Sequence, residues 1–371
     1  MAEVCLDGVT KVFGDRGDSF LAVGKLSMGI DDGECVAVTG PTGCGKSLLL
    51  RMVAGIDAPT GGEVRIDGEI VDSDRTRHGS VAVVSSLDTL LSDATVRENV
   101  TFGLTTHPDE EIDEHVHRAA RLMDFEGILD RTPDELSDIE RRRVAIGRAI
   151  VSEPSVLLCD DPLAALDEAD RADVQDDLVR VGKELGATML YGTGDPSVAV
   201  SVGDRVAVLH DGELGQIGTP TACYHQPATL SVARILGDPP MNLMAARKEG
   251  EHLVIGDLRY RVSRVMRGLM GRATTIVVGI RPENVALGVD PDEPNVYPAT
   301  VEGIRSVGDG HEVSLRPANA ALELVATVDD VADLELGEET TVGLPTDIIH
   351  LFDGRTGEAL KNPSLESVGT E

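Results

Sequence analysis

The residues whose types and spacing first suggest chemistry are Gly40-Pro41-Thr42-Gly43-Cys44-Gly45-Lys46-Ser47: a glycine, four residues, then Gly-Lys-Ser. Glycines let backbone N–H groups fold around a phosphate, a lysine reaches its outer oxygens, and a serine hydroxyl can sit on Mg²⁺. Such a loop works only between a strand and a helix. Glu34–Val38 is an apolar run of strand length before it. Leu48, Leu49, Met52 and Val53 repeat at helical spacing after it, and Gly55 stands where a helix would stop. With both flanks in place, the chain reads as a binder of nucleoside triphosphate rather than as the bearer of a chance Gly-rich turn.

The elements that must position this loop follow the same logic. Residues 3–10 alternate as an edge strand, 22–30 can pair with them antiparallel, and 63–67 read as a short exposed strand. Val81–Val84 and Ser155–Cys159 read as buried strands, the second running into Asp160 and Asp161. Helices are expected over 136–152 and 168–185, and strands over 188–191, 205–209 and 213–218. In the acidic stretch from 105, Ile112, Val116, Ala119, Ala120 and Met123 fit one helical face, so a helical insertion is expected over about 87–152. His115 and His117 lie two apart on that helix, point in different directions and read as solvated surface rather than metal ligands. Alternating strand and helix implies α/β with a mainly parallel sheet.

After Pro239-Pro240 the character changes. Short runs at 253–263, 274–280, 297–303, 311–316, 322–328 and 340–344, separated by Gly, Pro and Asp, predict a small all-β barrel or sandwich. The expected domains are 1–236 and 237–371.

Bulk composition bounds the partners. Among 371 residues, 33 basic against 65 acidic side chains give a formal net charge of −32. That field excludes a general nucleic-acid binder and docking on anionic lipid by charge alone. Lysine and aromatics are scarce, which suits a surface that stays hydrated at high ionic strength; melting should therefore move upward with KCl. Cys5, Cys35, Cys44, Cys159 and Cys223 show no CxxC spacing, as expected in a reducing compartment. Neither a secretory signal nor an apolar run of membrane-spanning length is evident, so a cytoplasmic chain is expected.

Four further segments arrive in a specific order: Leu136-Ser137-Asp138-Ile139-Glu140, Arg141–Ile150, Leu157–Asp167 and Tyr191–Asp195. With the phosphate loop they resemble the ATP-binding subunit of an ABC transporter. Gly218-Thr219-Pro220, Tyr224–Pro227, Pro239–Asn242, Gly279–Asn284 and His350–Asp353 extend the resemblance to the sugar-importer branch, over nearly the whole chain. The resemblance implies an α/β P-loop NTPase core with a helical subdomain, followed by an OB-like, TOBE-type regulatory β-domain. It implies an energy-coupling ATPase using ATP and Mg²⁺, peripheral on the inner membrane face. Its partners would be permease subunits, a second cassette (the same chain or a paralogue) and, indirectly, an extracytoplasmic solute-binding protein. Phe13 would stack on adenine. Gly40, Pro41, Thr42, Gly43, Cys44, Gly45, Lys46 and Ser47 would cradle the phosphates. Ser47 and Asp160 would hold Mg²⁺, Ser137 would reach the partner's nucleotide, and Asp167 would lie in the interface loop. A soluble P-loop kinase is the rival disfavoured by the β-domain.

The departures fall on catalytic positions. Asp161 replaces the family's glutamate base, Gly194 its histidine and Ser86 its glutamine, while Leu-Ser-Gly-Gly-Gln has become Leu136-Ser137-Asp138-Ile139-Glu140. Carboxylate retreat by roughly 1 Å can cost about a hundredfold in rate. Ser137-x-x-Glu140 is also a capping box, which satisfies a helix start internally. Retained binding with weakened hydrolysis is expected; the alternative is a nucleotide-binding regulatory subunit with little turnover.

Overall fold

A computed structural model describes residues 2–14, 18–71, 80–86, 90–104, 109–164, 166–271, 273–308, 310–318, 322–331 and 334–365. Parts of the expected helical insertion, 87–89 and 105–108, lie outside the described residues. Contacts divide the chain after Pro220, into Met1–Pro220 and Thr221–Glu371.

The first unit holds two sheets. In the larger, the strands Cys35–Thr39, Val81–Ser85, Val156–Asp160, Thr188–Thr193 and Arg205–His210 are parallel, and Glu213–Gly218 adds antiparallel at one edge. Cys35–Thr39 and Val156–Asp160 flank Thr188–Thr193, so their C-terminal ends, the phosphate loop and the Asp160–Asp161 pair, open side by side. That is where ligands gather on open α/β sheets.

The smaller sheet is antiparallel and corrects one expectation. Val4–Phe13 is not an edge strand; it lies between Phe20–Ile30 and Gly61–Ile66. Gly62 makes the second pairing fit, because a Cβ there would stand 2.4 Å from the Asp7 carbonyl oxygen and 2.3 Å from that of Gly8. The helix Lys46–Val53 buries Leu49, Leu50, Met52 and Val53 in one cluster with Val4, Leu6 and Leu26 of this sheet and Val36, Val38, Leu158 and Leu190 of the other. Each such side chain contributes about 1.5–3 kcal/mol on burial, so the phosphate-loop helix is clamped between two apolar faces. The described insertion contains Val96–Thr101, Asp109–Leu122 and Asp138–Ile150, and the last buries Val144, Ala145, Ile146 and Ile150.

The second unit is mostly β. One sheet contains Asn242–Glu249, His252–Ile255, Leu258–Arg261, Thr275–Ile280, His350–Asp353 and Ala359–Lys361; the other contains Ala286–Leu287, Val296–Val307, Gly310–Pro317, Leu324–Val328 and Glu339–Gly343. A single apolar cluster, including Met244, Leu253, Val278, Val301, Leu315 and Val342, serves both sheets. The run 253–263 is a hairpin rather than one strand, since Gly256 takes a φ of +58° that turns the chain back. Sequence periodicity missed the short helices Pro220–His225 and Leu230–Ile235, which precede this unit's strands. They are tied to it by Arg281, which is fully buried. Its guanidinium donates to the Ala233, Leu236 and Tyr224 carbonyls and lies 3.8 Å from the Tyr224 ring centroid.

Candidate functional site

Gly40, Gly43 and Gly45 all have positive φ, and Gly40 also admits no side chain, because a Cβ would stand 2.1 Å from the Leu209 carbonyl oxygen. The loop therefore bends as a cradle only with glycine there. The helix it feeds starts at Lys46 with neither a side-chain cap nor an acidic residue in its first turn. Its free N–H groups and positive dipole end are left for an anion. Lys46 Nζ donates to the Gly40 carbonyl at 2.6 Å and to that of Pro41 at 3.2 Å, and lies 3.7 Å from Cys44 Sγ. Its ammonium is thus folded onto the loop that it would share with phosphate oxygens.

Ser47 Oγ donates to Asp160 Oδ1 at 2.8 Å, across 113 positions of sequence. A hydroxyl and a carboxylate in one small space suit a hard cation that takes oxygen ligands. Ala22, Thr42, Gly43, Gly45, Lys46, Ser47, Asp160, Asp161 and Gly194 line a cleft of about 380 Å³. Ala22 was not among the expected site residues; only strand pairing brings it here. Its carbonyl lies 3.1 Å from where a Cβ on Gly45 would stand.

Asp161 sits in the left-handed region at φ +46°, its N–H donating to the Gly192 carbonyl at 2.8 Å. Although the residue is exposed, partial desolvation and the neighbouring Asp160 charge push its pKa up, against the pull of Lys46 and Arg171. Asp167 caps the helix Glu168–Leu185, accepting from the Asp170 N–H at 3.0 Å. The Ser86 N–H donates to the Asp160 backbone carbonyl at 3.3 Å, but Ser86 is not among the residues lining the cleft.

The helix Asp138–Ile150 begins differently. Ser137 Oγ accepts from the Glu140 N–H at 3.3 Å, and Glu140 Oε2 accepts from the Ser137 N–H at 2.8 Å. Hydrogen bonding of the Glu140 carboxyl to the Ser137 backbone N–H, and to the Ser137 hydroxyl, holds it below its ordinary range. Asp138 pairs with Arg141 at 2.9 Å. Ser137 is not among the residues lining the cleft.

The ABC transporter family profile matches residues 23–164, and a TOBE domain profile matches 278–352. The chain is 41% identical to the xylose/arabinose import ATP-binding protein XacK of Haloferax volcanii, over 99% of this chain and 97% of that protein. This chain belongs to the ATP-binding proteins of ABC transporters. It is also 36% identical to the sn-glycerol-3-phosphate import ATP-binding protein UgpC of Rhizobium meliloti, over 95% of this chain and 98% of that one. Among solved structures, a dimeric bacterial ABC transporter cassette is similar with TM-score 0.53 and 29% identity, covering 58% of this chain and 98% of its own.

As an ABC cassette, the chain divides its motifs between two places. The phosphate loop, Ser47 and Asp160 converge with Asp161 and Gly194 in one cleft, whereas the signature turn at Ser137 lies outside that group. Phe13, expected on adenine, is 46% exposed at its strand end, with Lys11 Nζ 5.2 Å from its ring centroid. It does not line the phosphate cleft. His115 and His117 turn to separate carboxylates, Glu153 at 3.4 Å and Glu126 at 3.2 Å. Among the described residues no helix is long and apolar enough to cross a membrane.

Proposed function

We propose that this chain is the ATP-binding, energy-coupling subunit of an ABC importer for sugar- or polyol-type solutes. It acts on the cytoplasmic face of a membrane through permease subunits and is paired with a second cassette. The observation that carries this reading is the near-complete correspondence with import ATP-binding proteins named for xylose/arabinose and for sn-glycerol-3-phosphate. The β-domain that follows the cassette supports the same reading.

In this reading the glycines and Lys46 bind the triphosphate, and Ser47 and Asp160 hold Mg²⁺. Bound there, the ion would neutralise charge on the phosphate oxygens. Asp161 takes the proton of the attacking water. A base must reach its proton within about 3 Å, directly or through one water, and an aspartate is one methylene shorter than the family's glutamate. Gly194 supplies no side chain to orient that water. Slow turnover is therefore part of the proposal, and the self-capped signature turn favours the second reading, a subunit that binds ATP with little hydrolysis.

Mg-ATP turnover of the purified chain, alone and with permease subunits, tests both. Turnover that rises with permease and disappears in Lys46→Ala supports the coupling ATPase. Wild-type turnover that Lys46→Ala leaves unchanged would put hydrolysis elsewhere and sink it. Binding without measurable turnover in either preparation selects the regulatory reading.

A further inference from the structure

We propose that Phe20 is a second base-stacking residue, so that Phe13 and Phe20 together form a two-ring platform for the purine of the bound nucleotide. The proposal rests on the nucleotide-binding reading above and extends it to the part of the ligand that the phosphate loop does not touch.

Phe13 and Phe20 are register partners at the end of one antiparallel strand pair. Directly opposed residues project on the same side of a sheet with Cβ atoms about 4.5–5.5 Å apart, so the two rings share a face. Both are exposed, Phe13 at 46% and Phe20 at 65%. The chain has only five Phe, four Tyr and no Trp; an exposed pair of rings in so aromatic-poor a chain is a use of a scarce residue type. Burial does not explain the pair, because neither ring belongs to the apolar cluster beneath this sheet.

The platform is continuous with the cleft. Ala22 lines the cleft, and its carbonyl packs against Gly45 of the phosphate loop. Phe20 is two residues from Ala22 on the same strand, about 7 Å along at the usual strand rise. A base joined through ribose to a triphosphate in the cradle must leave the cleft along some wall, and this wall ends in two rings. Ala22 is also where the pairing slips, Lys11 facing Val23 and Val12 facing Leu21; such bulges re-aim the chain beside binding sites. Lys11 already covers Phe13 from one side, which restricts that ring and gives the second one a role.

The test is equilibrium binding of Mg-ATP, Mg-CTP and Mg-tripolyphosphate to the full chain and to its Phe20→Leu and Phe13→Leu variants. Stacking on one aromatic ring corresponds to about fivefold or more in affinity. Phe20→Leu is expected to weaken Mg-ATP by about that factor, to weaken Mg-CTP less, and to leave Mg-tripolyphosphate unchanged. Phe20→Leu that binds Mg-ATP like wild type, while Phe13→Leu is weakened, overturns the second ring. An equal loss for tripolyphosphate also overturns it, because the substitution would then act on the cradle. Wild-type chain that binds neither Mg-ATP nor Mg-tripolyphosphate sinks the nucleotide reading itself, and this proposal with it.

Discussion

Two helix starts in the first unit have opposite chemistry. At Lys46 the turn has glycine at the cap, no acidic residue and no side-chain bond to its N–H groups. At Asp138 the turn has a reciprocal Ser137–Glu140 box and two carboxylates. The dipole of a helix start favours an anion only where its N–H groups are free. The first is open to phosphate; the second satisfies itself and repels. Each of those carboxylates also faces an arginine, Asp138 with Arg141 at 2.9 Å and Glu140 with Arg131 at 3.7 Å, which offsets part of its charge. A like-charge pair at about 5 Å and an effective dielectric near 20 is unfavourable by about 3 kcal/mol, before screening by salt.

The contrast is broken most directly by removing one group from each start. Lys46→Ala should lower ATP binding and turnover by about a hundredfold or more, the usual scale for a charge aimed at a transferring phosphoryl group. Ser137→Ala should change turnover little, and instead cost about 1 kcal/mol of stability as a lost cap, read by thermal melting. If both variants lose turnover alike, the second start grips nucleotide after all.

A smaller effect is expected from rebuilding the cleft. Asp161→Glu restores about 1 Å of reach, a distance associated with up to about a hundredfold in rate. Gly194→His should fold without strain, since a Cβ at Gly194 meets nothing within 4 Å. Single-turnover hydrolysis of the double variant should exceed wild type by about tenfold or more. No gain would move the bottleneck to the signature turn. There, Asp138→Gly with Ile139→Gly and Glu140→Gln should raise turnover by about tenfold at low salt and less at high salt, while the melting temperature falls. A salt-independent gain would show that charge is not what closes this helix start.

The same contrast explains what could be read in advance. Ser137-x-x-Glu140 was legible because a capping box is decided by four neighbouring residues. The phosphate loop was legible because its strand and helix flank it directly. Non-local pairing was not: Val4–Phe13 proved central because Gly61–Ile66 arrives on its far side, and Ala22 enters the cleft only through that sheet. Arg281 looked like part of a family segment; its role, holding three carbonyls from residues 224–236, depends on burial that periodicity cannot show. The left-handed backbone of Asp161 likewise has no local signature, as aspartate takes that conformation only occasionally.

The charge of Asp161 yields the smallest effect on stability and the one with the most constrained sign. Partial desolvation and Asp160 raise its pKa in the folded chain. The folded state therefore holds the proton more tightly than the unfolded chain, whose aspartates titrate near about 3.9. The stability tied to that proton is present below this value and is lost as pH rises through the raised pKa, so at neutral pH the charged carboxylate is a liability. Asp161→Asn should then raise the melting temperature at pH 7 slightly, with the difference vanishing near pH 3, while turnover disappears. Asparagine tolerates positive φ as well as aspartate does, so the backbone does not confound the comparison. In wild type, the acid limb of turnover against pH should lie above the ordinary aspartate range for the same reason. A lower melting temperature for Asp161→Asn at pH 7 would mean that the carboxylate is stabilised where it sits, and that Lys46 and Arg171 outweigh Asp160. The open helix start would then extend its positive field to the base as well as to the phosphate.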